Sequence, residues 1–111
     1  KEIEVQTVTL DQFRTSLDRA VSLVKIDAES AEREILAGGK AFLQLDRPIV
    51  TVEVGDQDDS GESRRLVEEL SSMDYEPWEF RSGRFQRHEA RDRYGYDNLI
   101  FAPMGRDLAS E

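Results

Sequence analysis

The feature that most constrains the fold is an amphipathic helix pattern enclosed between two strand-like runs. Apolar or small side chains recur at spacings of three and four residues between positions 28 and 45, which places them on one helix face. This face consists of Ala28, Ala31, Ile35, Gly38, Phe42 and Leu45. The compact apolar run Leu23–Ile26 precedes it, and the β-branched run Ile49–Val54 follows it. The sequence therefore predicts two parallel, buried strands joined by one helix.

Two local signals modify this helix. Gly38 and Gly39 weaken it by about 1 kcal/mol each relative to alanine, and we attribute them to a close approach between the helix and the sheet. Pro48 ends the helix, and Arg47, as the residue before a proline, is expected in an extended conformation.

The rest of the chain continues the alternation of strands and helices. Residues 3–8 alternate apolar and polar side chains, which predicts a half-buried strand. Residues 9–12 have the spacing of a capping box at the start of a short amphipathic helix. A further amphipathic helix directs the apolar side chains of residues 66–73 inward. Two last strands, at about 78–81 and 98–102, are joined by a charged loop and are expected to pair antiparallel.

Length and composition limit the remaining classes. The 111 residues suit one domain, so we expect residues 1–111 to form a single α/β unit with an open, mostly parallel sheet, a C-terminal antiparallel strand and helices on the faces. The net charge of −9 argues against a nucleic-acid partner, because phosphate binding relies on Lys and Arg. No stretch approaches the roughly 20 apolar residues that span a bilayer. The absence of cysteine excludes disulfides and thiol chemistry. We therefore expect a cytoplasmic protein without a membrane partner.

Polar side chains collect after these two strands, Leu23–Ile26 and Ile49–Val54. Asp27, Glu29 and Ser30 follow the first strand, while Glu53, Gly55 and Asp56 lie at the end of the second. In open α/β sheets ligands bind beyond the carboxyl ends of the strands, so these residues are candidates for a site. A carboxylate there can act as a general base, as a Mg²⁺ ligand, as a hydrogen-bonding wall for a substrate, or only as a helix cap. Spacing alone favours the helix cap for Asp27, and it does not choose among the other three roles.

Residues 23–32, LVKIDAESAE, resemble the hydrophobic-K-I-D-x-E-G-x-E signature of the FkbM family of S-adenosylmethionine-dependent methyltransferases. Four further segments resemble motifs of that family in the same order: TLD at 9–11, ILAGG at 35–39, RPIV through the glutamate at 47–53, and NLIFAP at 98–103. The resemblance covers nearly the whole chain. It implies a partial Rossmann-like sheet of the class I methyltransferase type, of which this chain supplies the acceptor side.

The resemblance also implies roles for the residues at this acidic junction. Asp27 and Glu29 are the candidate catalytic residues, and Lys25, Ser30 and Glu53 are the candidate substrate-binding residues. The implied reaction is O-methylation of a hydroxyl on a sugar- or polyketide-like acceptor, a small molecule or a glycan, with S-adenosylmethionine as the methyl donor. Ser30 stands where the family has a glycine, and a serine side chain there would crowd a ligand that approaches the backbone.

The donor side is the part that the sequence does not show. Enzymes of this fold hold S-adenosylmethionine in a glycine-rich turn after the first strand, and these residues contain no such turn, so the cofactor-binding residues are unknown. By the resemblance, the donor-binding strands precede Lys1, and the chain by itself is expected to be inactive. The alternative is a non-catalytic α/β interaction domain that forms a homodimer through the edge at residues 23–26, unless residues 3–8 cover that edge.

Histidine and aromatic residues near the C-terminus give weaker signals. His88 is the only histidine, and we interpret it as a solvated loop residue rather than a catalytic base. With no cysteine and no second histidine, we expect no transition-metal site. Tyr75 and Trp78 are expected to complete the core. Tyr94 and Tyr96 flank a glycine in a loop, where they either line a sugar-like acceptor or anchor the loop.

Overall fold

The chain alternates strands and helices, as the sequence predicts. The computed structural model describes residues 2–28, 31–56 and 61–110. The elements in these ranges are α1 Leu10–Arg14, β1 Leu23–Ile26, α2 Glu32–Ala37, α3 Lys40–Asp46, β2 Ile49–Val54, α4 Glu62–Ser72, β3 Tyr75–Arg81, β4 Arg84–Arg87, β5 Asp97–Pro103 and a 3-10 turn at Leu108–Ser110. The α/β class is confirmed. β4 lies in the segment that we expected to be only a charged loop.

The strands form one open sheet in the order β1-β2-β5-β3-β4. β1 and β2 are parallel, as predicted, and β5 pairs antiparallel with β3, also as predicted. β5 inserts between β2 and β3, however, and β4 is antiparallel to β3. The expectation of a mostly parallel sheet is therefore wrong. The return strand β5 separates β3 from β2, although β1, β2 and β3 all run in the same direction.

The main helices cover one face of the sheet, which we call the helix-covered face. Leu36 of α2, Leu43 of α3 and Leu66 of α4 pack in one core with Val52 of β2 and Phe101 of β5. The chain moves across the sheet in one direction from β1 to β2 and on to β3. Right-handed crossovers then place every connecting helix on the same side. The expected helices on the faces are thus found on one face within the described residues.

The opposite face carries a smaller apolar cluster. Trp78 of β3 and Ala102 of β5 are buried there beneath Leu108 of the 3-10 turn. Tyr75 is also buried, but in the larger core on the helix-covered face. The prediction that Tyr75 and Trp78 complete the core is confirmed, although they complete two different clusters because the strand alternates its side chains.

The N-terminal segment differs from its prediction. Residues 2–9 form no strand, and Ile3 and Val5 are 78% and 77% exposed. The alternating pattern is present, but within the described residues no neighbouring strand pairs with it, and a strand needs such a partner for its backbone hydrogen bonds. The predicted capping box of α1 is confirmed, with Thr9 and Gln12 bonding each other's backbone amides.

The long predicted helix is divided into α2 and α3 at Gly38 and Gly39. A Cβ atom built on Gly39 would lie 2.9 Å from Cδ1 and 3.0 Å from Cβ of Leu10. The close approach that requires this glycine is therefore to α1, and our attribution to the sheet is wrong. Asp11 completes the contact, because its carboxylate accepts a 2.7 Å hydrogen bond from the Phe42 amide in the first turn of α3.

Arg47 ends α3 in the left-handed conformation, with φ 50° and ψ 49°, and is not extended as we expected. The following Pro48 disfavours a right-handed turn, and the Arg47 amide instead closes the helix on the carbonyl of Leu43. The guanidinium donates a 2.7 Å hydrogen bond to the carbonyl of Asp74 and lies 4.4 Å from the ring centre of Tyr75. The arginine of this RP pair thus joins α3 to the start of β3.

Candidate functional site

An open cleft of about 290 Å³ lies at the carboxyl ends of β1 and β2. Its lining residues are Asp27, Glu32, Arg33, Glu53, Val54, Gly55, Glu62, Ser63, Leu66 and Tyr96. Four of these side chains are carboxylic acids and one is a guanidinium. The cleft is therefore where the rule for open α/β sheets places a ligand site, and its lining is predominantly acidic.

The two parallel strands bring Asp27 and Glu53 to the same level of the cleft. Ile26 pairs with Val52, so the next residue of each strand, Asp27 and Glu53, continues the register. Asp27 is exposed and makes no hydrogen bond or ion pair within the described residues. It does not cap α2, because that helix begins at Glu32 behind Ala31. The helix-cap role that the spacing favours for Asp27 is therefore wrong.

The remaining predicted site residues divide into two groups. Lys25 is exposed on β1, opposite the inward-facing Val24 and Ile26 as the alternation predicts, and it is not among the residues that line the cleft. Glu29 and Ser30 lie outside the described residues. Asp27 and Glu53 are thus the two predicted residues that the structure brings together.

Arg33 closes one side of the cleft, and its position was not predicted. Its guanidinium donates hydrogen bonds to Glu69 at 2.8 Å and to Glu62 at 3.0 Å, which ties α2 to α4. These bonds, first to Glu69 and then to Glu62, raise the pKa of Arg33. The hydrogen bond from Arg33 in turn holds the pKa of Glu62 below its ordinary value of 4.5. Arg33 does not belong to the apolar face of the predicted helix, and only the packing of α2 against α4 decides which side chains it contacts.

The first turn of α4 forms the floor of the cleft. The buried Ser63 hydroxyl accepts a 3.0 Å hydrogen bond from the amide of Gly55, at the end of β2. The carboxylate of Asp56 accepts a 3.1 Å hydrogen bond from the amide of Ser63 and so caps the helix. These two reciprocal bonds fix the strand end against the helix.

The sequence left the same two roles open for Tyr94 and Tyr96, but the structure places them in different surroundings. Tyr96 is 75% exposed and lines the cleft, with its ring against the backbone of Gly55. Tyr94 is buried, and its carbonyl accepts a 2.9 Å hydrogen bond from the amide of Asp56. One tyrosine thus borders the cleft while the other anchors the loop.

His88 is buried, and its interpretation as a solvated loop residue is wrong. Its side chain is 0% exposed. One ring nitrogen, Nδ1, bonds the carboxylate of Glu79, and the other, Nε2, lies 2.7 Å from the hydroxyl of Tyr94. In a neutral ring Nδ1 donates and Nε2 accepts, which satisfies both partners. These neighbours come from β3 and the loop before β5, so a local sequence pattern does not reveal the burial.

Glu79 holds this cluster together. Burial raises the pKa of Glu79, but hydrogen bonds from His88 and Arg81 outweigh that effect and hold the pKa below its ordinary value of 4.5. Arg91 adds a 3.2 Å hydrogen bond to the same carboxylate. The cluster is a satisfied structural network beside the cleft and does not line it.

Two further observations concern metal ions and membranes. Within residues 2–28, 31–56 and 61–110, no three His, Cys, Asp or Glu side chains are grouped so that they could hold a metal ion. No helix in the same ranges is both long and apolar enough to cross a membrane.

Comparison with known protein families identifies a match. The family described as "Methyltransferase FkbM domain" matches residues 1–77, which include β1, β2, α4 and the acidic residues of the cleft. Residues 78–111, which carry His88, Tyr94 and Tyr96, lie outside the match. No curated protein and no solved structure matches the chain.

Proposed function

Since this chain belongs to the FkbM methyltransferase family, we propose that it forms the acceptor side of a cleft in which S-adenosylmethionine-dependent O-methylation takes place. The acceptor is a hydroxyl on a sugar- or polyketide-like molecule. The sheet agrees with a partial Rossmann-like arrangement in that three strands share one direction and the cleft lies at the carboxyl ends of two of them, β1 and β2.

The observation that carries the proposal is the position of Asp27. It is exposed at the cleft, at the level of Glu53, and within the described residues no partner neutralises or hydrogen-bonds it. A carboxylate in that state can accept a hydrogen bond from an acceptor hydroxyl and take its proton, which makes the oxygen a better nucleophile. Glu53 orients a second hydroxyl of the same molecule as an acceptor of hydrogen bonds.

S-adenosylmethionine supplies a methyl group on a positively charged sulfur that leaves as a neutral thioether. An acidic lining is compatible with that positive charge. In the described residues no glycine-rich turn for the nucleoside follows β1 or β2. The space beside Gly55, the glycine that lines the cleft, is filled by the ring of Tyr96. The residues present therefore fit the acceptor side and not a complete donor pocket. We propose that the donor is held by sequence outside these 111 residues.

The other predicted site residues complete the proposal. Glu29 is a second catalytic candidate beside Asp27, and Ser30 and Lys25 are candidates for contacts to the acceptor. Lys25 would reach the acceptor only from the exposed surface of β1, since it does not line the cleft.

The test is methyl transfer by a longer protein that contains this chain and a donor-binding segment. Asp27→Asn keeps the shape of the side chain and removes the base, so we expect turnover to fall about 10²- to 10⁴-fold. Asp18→Asn is the matched control, because Asp18 is exposed and lies outside the cleft. Unchanged turnover in Asp27→Asn would reject the role of this carboxylate.

Calorimetric titration tests the division between donor and acceptor sides. We expect no binding of S-adenosylmethionine to the 111-residue chain alone. Measurable binding would show that the donor site is present in this chain and that the proposed division is wrong.

A second candidate function rests on the uncovered edge of β1. Residues 2–9 form no strand, so within the described residues nothing pairs with the outer side of β1. Such an edge can pair with a second copy, which would make the chain a non-catalytic interaction domain that dimerises. The Ser22 carbonyl faces β2, and by the alternation of a strand the Lys25 amide then faces outward.

Sedimentation velocity with Lys25→Pro tests this candidate. Proline removes the outward donor of an edge strand without removing a bond to β2. A dimer that becomes a monomer in Lys25→Pro would support the interaction domain. A chain that is monomeric at high micromolar concentration would reject it.

A further inference from the structure

The ring of Tyr96 forms an aromatic wall of the cleft, and it comes from the part of the chain outside the family match. The ring of Tyr96 lies so close to the backbone that a Cβ atom built on Gly55 would be 3.2 Å from its Cδ1 and 3.3 Å from its Cγ. The rest of the ring is exposed toward the cleft and solvent. A glycine at the end of β2 therefore provides the space in which an exposed aromatic ring borders the cleft.

This wall is held in place without a ligand. The carbonyl of Tyr94 accepts a 2.9 Å hydrogen bond from the amide of Asp56, which ties the loop before β5 to the end of β2. The buried hydroxyl of Tyr94 lies in hydrogen-bond contact with Nε2 of His88, at 2.7 Å. The same hydroxyl accepts a 3.0 Å hydrogen bond from the amide of Arg91. Because the loop is anchored two residues before Tyr96, little ordering of this segment remains to oppose binding.

The charge of the lining adds a second constraint. Among the residues that the structure describes, four carboxylates border the cleft, and the one guanidinium there, Arg33, is already bonded to Glu62 and Glu69. Asp27 and Glu53 can accept hydrogen bonds but cannot donate them when ionised. A ligand that fits must therefore donate hydrogen bonds and carry no negative charge near the wall.

We propose that Tyr96 is the stacking platform for a single uncharged, polyhydroxylated ring, and that the acidic lining excludes anionic rings of the same shape. This inference rests on the proposed function and narrows its acceptor. An aromatic ring covers the apolar face of such a molecule, while the carboxylates accept bonds from its hydroxyl groups. A phosphate or carboxylate on the ring would meet like charges. The cleft volume of about 290 Å³ is at the lower limit for small-molecule sites, about 300 Å³, which suits one ring rather than an extended chain.

The experiment compares two probes of the same shape, methyl glucoside and methyl glucuronide, in NMR titrations of the 111-residue chain. We expect methyl glucoside to shift the Gly55 amide and the Tyr96 ring signals. We expect methyl glucuronide to bind at least about tenfold more weakly at low salt, with a smaller difference at high salt because the repulsion is screened. Equal affinities, or no shifts with either probe, would overturn the proposal.

Variants of the platform separate stacking from hydrogen bonding. Tyr96→Phe keeps the ring and should keep the Kd for methyl glucoside, whereas Tyr96→Ala should raise the Kd about 2- to 10-fold. Phe80→Ala is the matched control, because Phe80 is an exposed aromatic residue outside the cleft. Tyr96 is largely exposed, so its replacement should leave the unfolding midpoint unchanged. A Kd that is the same in Tyr96→Ala and in the unmodified chain would refute the platform.

The proposed function and this inference fail in different ways. Binding of methyl glucoside at Tyr96 without methyl transfer in the longer protein would reject the function and leave the platform. Methyl transfer whose KM for an uncharged acceptor is unaffected by Tyr96→Ala would reject the platform and leave the function.

Discussion

The acidic cleft and the His88 cluster are adjacent polar regions with opposite properties. In the cleft, Asp27 is exposed and has no bonding partner within the described residues. In the cluster, His88 is fully buried, and both of its ring nitrogens are bonded, one to Glu79 and one to Tyr94. By residue type alone, the histidine is the more usual catalytic group and the aspartate the more usual helix cap.

The difference shows that residue type is a weaker guide to function than the state of the hydrogen bonds. A buried polar group must be satisfied by the protein, because leaving it unpaired costs about 1–3 kcal/mol. Such a group stabilises the fold and is not available to a ligand. A carboxylate with solvent access and no partner contributes little to stability but remains available for chemistry.

Replacing the buried histidine should have the largest effect. His88→Leu keeps the approximate volume but removes a partner from both Glu79 and Tyr94, so we expect a loss of about 3 kcal/mol in the free energy of unfolding. Asp27→Asn should change the same quantity by less than about 0.5 kcal/mol. Urea unfolding of both variants measures the difference. Similar losses in the two variants would remove the distinction between the regions.

A glycine substitution tests whether a tightly packed position of the family-matched region is as sensitive to replacement as the buried histidine. In Gly39→Ala the new methyl group would meet Leu10 at about 3 Å, so we expect a loss of about 2 kcal/mol through displacement of α1. Gly95→Ala is the control, because a Cβ atom there meets nothing within 4 Å. The two melting temperatures give the comparison, and equal values would show that α1 does not pack tightly in solution.

Removal of one hydroxyl should have a smaller effect. Tyr94→Phe keeps the buried ring but deletes the oxygen that bonds His88 and the Arg91 amide. We expect a loss of about 1 kcal/mol in the free energy of unfolding. If the Tyr94 hydroxyl helps to hold the loop before β5 in place, amide exchange should also become faster at Asp56, whose amide donates a hydrogen bond to the Tyr94 carbonyl. A faster exchange confined to residues far from this loop would contradict the anchoring role.

The pH dependence should be the smallest of the four effects. Because the pKa of Glu79 is lower in the folded chain than its ordinary value of 4.5, its ionised form stabilises the fold. This contribution is complete above the ordinary value and is lost as the pH falls through the lower, folded value. Glu79→Gln should therefore show a flatter decline of the urea midpoint between neutral and acidic pH than the unmodified chain. An equally steep decline in the variant would assign the acid sensitivity to other carboxyl groups.

The sequence predicted a strand or a helix start correctly wherever the folded chain supplies the partners that the local residue pattern requires. Leu23–Ile26 and Ile49–Val54 form strands within the predicted limits and pair in parallel. The Thr9 capping box is also present as predicted, because every group in it lies within four residues. Residues 3–8 failed the same kind of prediction, since a strand pattern becomes a strand only when another strand supplies its hydrogen bonds.

The candidate site was predicted in part for the same reason. The carboxyl-end rule needs only the order of strands and helices, and it correctly brought Asp27 and Glu53 to one cleft. Arg33 was not predicted at the cleft, and for Tyr96 the sequence left open whether it lines a site or anchors the loop. Both positions depend on which helix and which loop pack beside the strand ends. The contact between Leu10 and Gly39 shows the same limit, since the glycine pair indicated a close approach but not the element approached.

The amino-acid sequence by itself determined the α/β class, the parallel pairing of β1 with β2, the family and the acidic residues after these two strands. These depend on periodicity and on short motifs, which are properties of neighbouring residues. Only the tertiary structure decided that β5 inserts beside β2, that the helices share one face, that His88 is buried and that Tyr96 borders the cleft. Each of these depends on groups far apart in the chain, and the free energy of their burial and pairing exists only once the sheet has brought them together.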